Sequence, residues 1–198
     1  MVKYDKTKSD PICKWRNASI ETVMELVSLL PKERMSKHRF RDIMSTCYNG
    51  AYFRTPYQLA LQLSLYYEDD KEYIPRFDHD ITKEETLEYM HKWMQRYYVP
   101  NPFTKKGFVN IVPSINLLYG FVDYLENHPT KPNLATAGAA LFGGEMGNVL
   151  CVRFLLNEYS NIIEVDANND MKLLFDKSGD IEVHNKRDDK KAFFDHFK

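Results

Sequence analysis

The stretch that decides the fold is SKHRFRDIMSTCYNGAYFRTPYQLALQL, residues 36–63, because it contains two consecutive helix starts. Ser36 is a typical N-cap, and the apolar residues after it recur at helical spacing, which predicts a helix that ends before Asn49-Gly50. Thr55-Pro56-Tyr57-Gln58 then supplies an N-cap Thr, a Pro at the first helical position and a Gln at the third, which is a full capping box. The sequence therefore predicts a helix, a loop and a second helix.

The flanking sequence extends this pattern on both sides. Upstream, apolar residues at helical spacing predict a helix over residues 19–30 that ends at Pro31. Downstream, Tyr66 falls on the apolar face of the second helix of the pair, and Tyr73-Ile74-Pro75-Arg76-Phe77 is predicted as a short strand or wing whose proline favours an edge position. Thr82-Lys83-Glu84-Glu85 repeats the capping box and opens a long helix.

A similar order follows in the second half of the chain. Helices are predicted from Pro113-Ser114 through Ile115 to Leu125, over residues 134–142 and over residues 149–159. A β-hairpin follows over residues 162–175, with its turn at Asn168-Asn169. The fold class is therefore predicted as mostly α with small antiparallel β-hairpins, built from tandem winged-helix-like units.

Four segments are expected along the chain. Residues 1–18 are predicted as a charged lead-in and residues 19–130 as a helical, helix-turn-helix-like unit. Residues 131–185 are expected to form the second winged-helix-like unit. Residues 186–198 mix both charges without a period, which favours a charged tail.

Composition excludes several classes of protein. No apolar run approaches the ~18–20 residues that span a bilayer, so no membrane contact is expected. Cys13, Cys47 and Cys151 are odd in number and far apart, which argues against a disulfide framework and for a reducing, cytoplasmic compartment. No histidine stands at zinc-ligand spacing from them, and no phosphate loop or dinucleotide fingerprint is present, so neither a metal nor a cofactor is expected.

Positive charge is concentrated near the start of the chain. Residues 1–54 hold 11 Lys and Arg against 6 Asp and Glu, whereas the other 144 residues hold 16 against 22. The densest basic piece is residues 36–41, the predicted first turn of a helix. Helix N-termini carry partial positive charge, so cations there are unfavourable unless an anion is nearby. A nucleic-acid phosphate is the anion that we expect.

In this interpretation the chain binds double-stranded DNA. Lys37, Arg39 and Arg41 would contact phosphates, while Gln58 and Gln62 would offer amides to base edges, a pairing that suits adenine. Another interpretation stays open, in which Gln58 is used by the capping box, Gln62 is solvated and the basic turn is ordinary surface. The full set of predicted DNA-binding residues is Lys37, His38, Arg39, Arg41, Arg54, Gln58, Gln62, Lys105 and Lys106.

Two other functions are compatible with the sequence. The apolar helix Val149–Leu156 would serve a protein-interaction subunit by packing on a partner. A Mg²⁺-dependent nuclease would use Asp166, Asp170 and Lys172, because Asp170-Met171-Lys172 matches the Asp/Glu-x-Lys element of such sites. Outside this alternative no catalytic residue is assigned.

Residues 82–128 resemble part of the DNA-recognition region of type IIS restriction and nicking endonucleases. The similar features are the helix end Trp93-Met94-Gln95-Arg96-Tyr97-Tyr98, the basic loop from Pro100 to Gly107 and the Pro-Ser pair before Ile115. The resemblance implies the specificity element of a restriction or phage-defence system, with double-stranded DNA as one partner and a nuclease domain or subunit as another. It carries over no catalytic residue.

Overall fold

The computed structural model describes residues 18–47, 59–103, 114–128, 130, 132–142, 149–174 and 189–198. These residues belong to two compact units. The first unit contains the described residues from Ala18 to Tyr89 together with residues 189–198, and the second unit contains those from Met90 to residue 174. The boundary between the two units falls between Tyr89 and Met90, inside the helix Lys83–Arg96.

The elements follow one another along the chain as α1 (Ile20–Leu29), β1 (Met35–Ser36), α2 (Lys37–Cys47), α3 (residues 59–62), β2 (Tyr66–Glu68), β3 (Glu72–Pro75), α4 (Lys83–Arg96), β4 (Tyr98–Val99), β5 (Ile115–Asn116), α5 (Leu117–Asn127), α6 (Leu134–Phe142), α7 (Val149–Tyr159), β6 (Ile163–Val165), β7 (Met171–Leu173) and α8 (Lys190–His196). The fold is mostly helical with antiparallel sheets of two or three strands, as the sequence predicts. No helix among these described residues is both long and apolar enough to cross a membrane.

The three-stranded sheet of the first unit has the order β1-β3-β2. The prediction that the strand around Pro75 is an edge is therefore wrong, because β3 lies in the centre. A proline is tolerated there because β1 pairs only with Glu72 and Tyr73, so Pro75 lies past the end of β1 and pairs on one side with Tyr66. Tyr66 itself belongs to β2, not to the preceding helix as predicted.

The core of the first unit joins this sheet to α2 and α8. Tyr73 is fully buried, its ring stacks on that of Phe40 with centroids 4.1 Å apart, and its hydroxyl donates to the carbonyl of Pro31 at 2.7 Å. Residues 189–198, which the sequence suggests to be part of a charged tail, instead contain α8 with three buried rings, those of Phe193, Phe194 and Phe197. The three phenylalanines form an apolar face, which the mixed charges of this segment make hard to recognise in the sequence.

The predicted starts of α1, α2 and α4 are confirmed. The hydroxyl of Ser19 accepts the amide of Thr22 at the start of α1, and Ser36 Oγ accepts the amide of Arg39 at 3.3 Å in α2. The capping box of α4 is complete. The Thr82 amide donates to Glu85 Oε2 at 2.8 Å, and the Glu85 amide donates to Thr82 Oγ1 at 3.2 Å.

In the second unit, α5 begins later than the sequence predicts. Ile115 belongs to β5, which pairs with β4, so the helix does not start at Pro113-Ser114. Asn116 is the N-cap, because its side-chain oxygen accepts the amide of Tyr119 at 3.2 Å. Its side-chain nitrogen donates to the carbonyl of Gln95 at 2.6 Å, a contact that only the folded chain provides.

The predicted hairpin of the second unit is confirmed as β6 and β7, and its turn lies at residues 167–168, one residue before the predicted position. Asn169 has a φ of 66°, a left-handed conformation that asparagine tolerates better than most residues. An isolated antiparallel bridge pairs Asn133, the residue before α6, with Asp170, the residue before β7. The hairpin is therefore attached to the segment that leads into α6.

Candidate nucleic-acid interface

The basic first turn of α2 lines a cleft in the first unit, which we call the α2 cleft. The backbone amide of Lys37 donates to the carbonyl of Lys71 at 2.9 Å, so the turn between β2 and β3 is fixed beside the start of the helix. The cleft has a volume of about 550 Å³ and is lined by Lys37, Arg41, Tyr67, Glu68, Asp69, Asp70, Asp189, Lys190 and Lys191.

Two of the predicted phosphate contacts already have an anion inside this cleft. The side chain of Glu68 is only 5% exposed, and its Oε1 lies 3.3 Å from Lys37 Nζ and 3.5 Å from Arg41 Nη2. Lys37 Nζ also lies 3.8 Å from the carboxylate of the fully exposed Asp70. The fold therefore supplies carboxylates where the sequence suggests an external anion.

The other predicted residues of this turn are more available. His38 is 90% exposed and its Nδ1 lies 2.9 Å from the carboxylate of Asp42. Arg39 is exposed, and its guanidinium makes no ion pair with any residue in the described ranges. Lys71, in the β2–β3 turn, is also exposed, and its ammonium group makes no ion pair within the described ranges. Lys71 was not identified as a candidate from the sequence.

Of the remaining predicted contacts, the structure describes only Gln62. Gln62 is buried, with 7% of its surface exposed, so its amide does not face a groove outside the protein. Arg54, Gln58, Lys105 and Lys106 lie outside the described residues.

Two of the four carboxylates that line the cleft hold the backbone in place. Asp69 Oδ1 accepts the amides of Lys71 at 2.6 Å and Glu72 at 2.8 Å, and these hydrogen bonds lower the pKa of Asp69. Asp189 accepts the amide of Ala192 at 2.9 Å and caps α8. The described residues of the first unit nevertheless hold 11 Lys and Arg against 15 Asp and Glu. This part of the chain would therefore attract a polyanion only near the cations that do not pair with one of its carboxylates.

Sequence reasoning missed Glu68. It stands in a run of acidic residues, Glu68-Asp69-Asp70, whose members look equivalent in the sequence. Only the packing of β2 beside α2 makes one of them the buried partner of two cations.

The residues of the nuclease alternative lie in and beside the β6–β7 turn. Asp166 Oδ1 accepts the amides of Asn168 at 2.8 Å and Asp170 at 2.9 Å, so this carboxylate forms the turn. Asp170 accepts the side-chain amide of Asn133, and Lys172 pairs across the strands with Glu164. In the described ranges, no three His, Cys, Asp or Glu side chains are grouped to hold a metal ion.

The helix of the protein-interaction alternative is confirmed as α7 and is half buried. Its inner face, which includes Cys151, Val152 and Leu155, lies in the core, whereas Leu150 is 60% exposed. Arg153 donates to the carbonyl of Ala167 at 3.0 Å and so ties the helix to the hairpin turn. The exposed part of α7 is therefore apolar at its start.

A second charged cluster surrounds His79 ahead of α4. Its Nδ1 lies 2.7 Å from Asp78 Oδ1 and its Nε2 lies 3.1 Å from Glu85 Oε1. The hydrogen bond to Asp78, followed by that to Glu85, raises the pKa of His79. The imidazolium form is thus favoured by folding.

This shift predicts a pH-dependent stability. The raised pKa of His79 means that the protonated ring stabilises the fold below its unfolded pKa of about 6.5, and that this contribution is lost as pH rises through the folded value. Urea unfolding of wild type and His79→Gln should differ more at about pH 5.5 than at about pH 8.5. The pH dependence should shrink in an Asp78→Asn background. An equal difference at both pH values would contradict the assignment.

Comparison with known proteins finds no family model that matches the chain, and no curated protein or solved structure that is similar to it. The resemblance of residues 82–128 to type IIS recognition regions stays a prediction. The function must therefore be argued from the arrangement of elements and from the charges at the α2 cleft.

Proposed function

We propose that the chain is a duplex DNA-binding module built from winged-helix-like units. The observation that carries the proposal is the order α1, β1, α2, α3, β2 and β3 in the first unit, with the three strands arranged as β1-β3-β2. This is the order of elements and strands in winged-helix domains, in which the second and third helices form a helix-turn-helix and the last two strands form the wing. The assignment rests on fold-level analogy, so the contacts must be tested residue by residue.

The second unit repeats this order. Helix α5 is followed by the bridge residue Asn133, then by α6, α7 and the hairpin of β6 and β7. The bridge to Asp170 at the start of β7 takes the place that β1 has beside β3 in the first unit. The repeat supports the proposal of tandem units.

The exposed and the paired cations of the first unit indicate which residues would contact phosphates. Arg39 in the first turns of α2 and Lys71 in the wing are exposed cations, and the start of a helix favours anions. Lys37 and Arg41 contribute less to phosphate binding than the sequence suggests, because Glu68 neutralises part of their charge. The proposed role as the specificity element of a restriction or phage-defence system, with a nuclease domain or subunit as partner, rests on the resemblance.

The test is salt-dependent binding to a fluorescently labelled duplex of mixed sequence, followed by anisotropy. Wild type should bind at low salt and weaken as salt rises, because each phosphate contact releases counterions. Arg39→Ala should reduce the slope of log affinity against log salt by about 1, the effect of losing one contact.

The matched control is Arg34→Ala. Arg34 is also an exposed arginine of the first unit, but it is paired with Glu72, so its loss should leave the slope nearly unchanged. If wild type binds no duplex at low salt, the proposed function is wrong. If Arg34→Ala and Arg39→Ala lower the slope equally, the place of Arg39 in the interface is wrong.

A second candidate function is a protein-interaction subunit. The observation that favours it is Leu150, a large apolar side chain 60% exposed at the start of α7, which occupies the third-helix position of the second unit. A helix that reads DNA carries polar side chains that reach base edges, and a leucine offers none. Absence of duplex binding at low salt would make this function the leading one.

A further inference from the structure

We infer that Glu68 is a specificity-determining residue, an internal counter-anion that offsets part of the positive charge of Lys37 and Arg41 and so limits binding to DNA of arbitrary sequence. The inference rests on the proposed function, since it concerns the same surface. It assigns a role in DNA discrimination to a carboxylate, a group that a phosphate repels.

The geometry fixes the carboxylate more firmly than the cations. Glu68 ends β2 and is 5% exposed, whereas the side chain of Lys37 is 20% exposed and that of Arg41 is 67% exposed. Lys37 and Arg41 stand one turn apart on α2, and both reach the same oxygen, Oε1. A buried carboxylate is far costlier to leave without its cations than an exposed one. Lys37 and Arg41 are therefore held at Glu68 even when an external phosphate is near.

The pairing of Lys37 and Arg41 with Glu68 should lower the nonspecific affinity of the protein for duplex DNA. Affinity for any duplex comes mainly from cations that replace the counterions condensed on phosphates, and it does not depend on sequence. Glu68 offsets part of the charge of Lys37 and Arg41, and the carboxylate of Asp70 lies 3.8 Å from Lys37 Nζ, so the two cations add little to this nonspecific affinity. Arg39 and Lys71 supply this nonspecific affinity instead, because neither pairs with a carboxylate among the described residues. A lower nonspecific term raises the ratio of specific to nonspecific binding.

The variant that tests the inference is Glu68→Gln, which keeps the shape and removes the charge. The change releases one net positive charge to bind phosphate, so the salt slope should steepen by about 1, and affinity for a mixed-sequence duplex at about 50 mM salt should rise about tenfold. One round of binding to a random duplex pool, followed by sequencing, should show weaker sequence enrichment than with wild type.

The matched control is Glu72→Gln, which makes the same charge change on the neighbouring strand. Glu72 is 40% exposed and pairs with Arg34, and neither residue lines the α2 cleft, so the cation that the change releases lies outside the proposed binding surface. Its removal should leave the slope and the enrichment close to those of wild type. Equal effects of Glu68→Gln and Glu72→Gln would show a general effect of net charge and would overturn the inference.

A second variant tests the inference without changing Glu68. Lys37→Ala combined with Arg41→Ala should reduce the salt slope by less than Arg39→Ala alone, although it removes twice the charge. A larger reduction would mean that both cations bind phosphates freely, and the role of Glu68 would be wrong. If neither wild type nor Glu68→Gln binds duplex, the proposed function fails as well. If wild type binds and Glu68→Gln matches Glu72→Gln, only the role of Glu68 fails.

Discussion

Replacing Phe194 with alanine is expected to lower the free energy of unfolding of the first unit by about 3–5 kcal/mol, the usual cost of removing a buried aromatic ring. Phe194 is 6% exposed, and the guanidinium of Arg76 lies 3.8 Å from the centre of its ring. Arg76 also donates to the carbonyls of Ser64 and Phe194. The ring therefore stabilises both an apolar core and a partly buried cation, whose pKa is lowered by desolvation.

The measurement is urea unfolding followed by far-UV circular dichroism. The matched control is Lys190→Ala, which changes an exposed residue of the same helix and should have little effect. Phe194→Leu should be intermediate, because it keeps apolar volume but removes the ring face that Arg76 contacts. If residues 189–198 were a solvated tail, none of the three variants would change stability.

Trp93→Ala is expected to destabilise the second unit by a similar amount, about 3–5 kcal/mol. Trp93 is fully buried in the second half of α4, and its ring centroid lies 4.6 Å from that of Tyr97. Alanine would leave a large cavity that the surrounding helices fill only in part. Circular dichroism is again the signal, because the substitution removes one of the two tryptophans that fluorescence would report.

The controls for this site are conservative and local. Trp93→Phe should cost clearly less than Trp93→Ala, since most of the apolar ring volume is kept. Gln95→Ala changes an exposed residue of the same helix and should stay close to wild type. Equal stability of Trp93→Ala and Gln95→Ala would show that the burial of Trp93 is wrong.

Local signals in the sequence were sufficient for most helices and for one hairpin. Ser36 and Thr82 are recognisable as N-caps because each hydroxyl accepts a hydrogen bond from an amide three residues later in the chain. The hairpin turn was located to within one residue for a similar reason, since asparagine tolerates the left-handed backbone that Asn169 adopts. In each case the partner is near in the chain.

Elements that depend on distant partners were not predicted. Strand β1 has two residues and exists only because Met35 and Ser36 pair with β3, so no periodic pattern marks it. Tyr66 was placed on a helix because its apolar character fits helical spacing, yet in the fold it pairs with Pro75 in a sheet. Propensity is a weak signal, and tertiary contacts override it.

The candidate site also depends partly on local sequence and partly on contacts between distant residues. The sequence located the basic turn at residues 36–41, and the structure describes it at the start of α2. Lys37 and Arg41 are paired inside the protein because Glu68, and not another of the neighbouring acidic residues, lies beside them in the folded chain. The exposed Arg39 and the paired Arg41 are indistinguishable in the sequence.

The sequence by itself determined where most helices begin, where the second hairpin turns and which short segment carries the most cations. These features depend on residues a few positions apart, whose hydrogen bonds and sterics act within the segment. Only the tertiary structure decided that Pro75 lies in a central strand, that α8 is a buried helix and that Glu68 neutralises part of the basic turn. Those outcomes depend on burial of apolar surface and of charge between residues far apart in the chain. Neither burial nor pairing is fixed until the elements pack together.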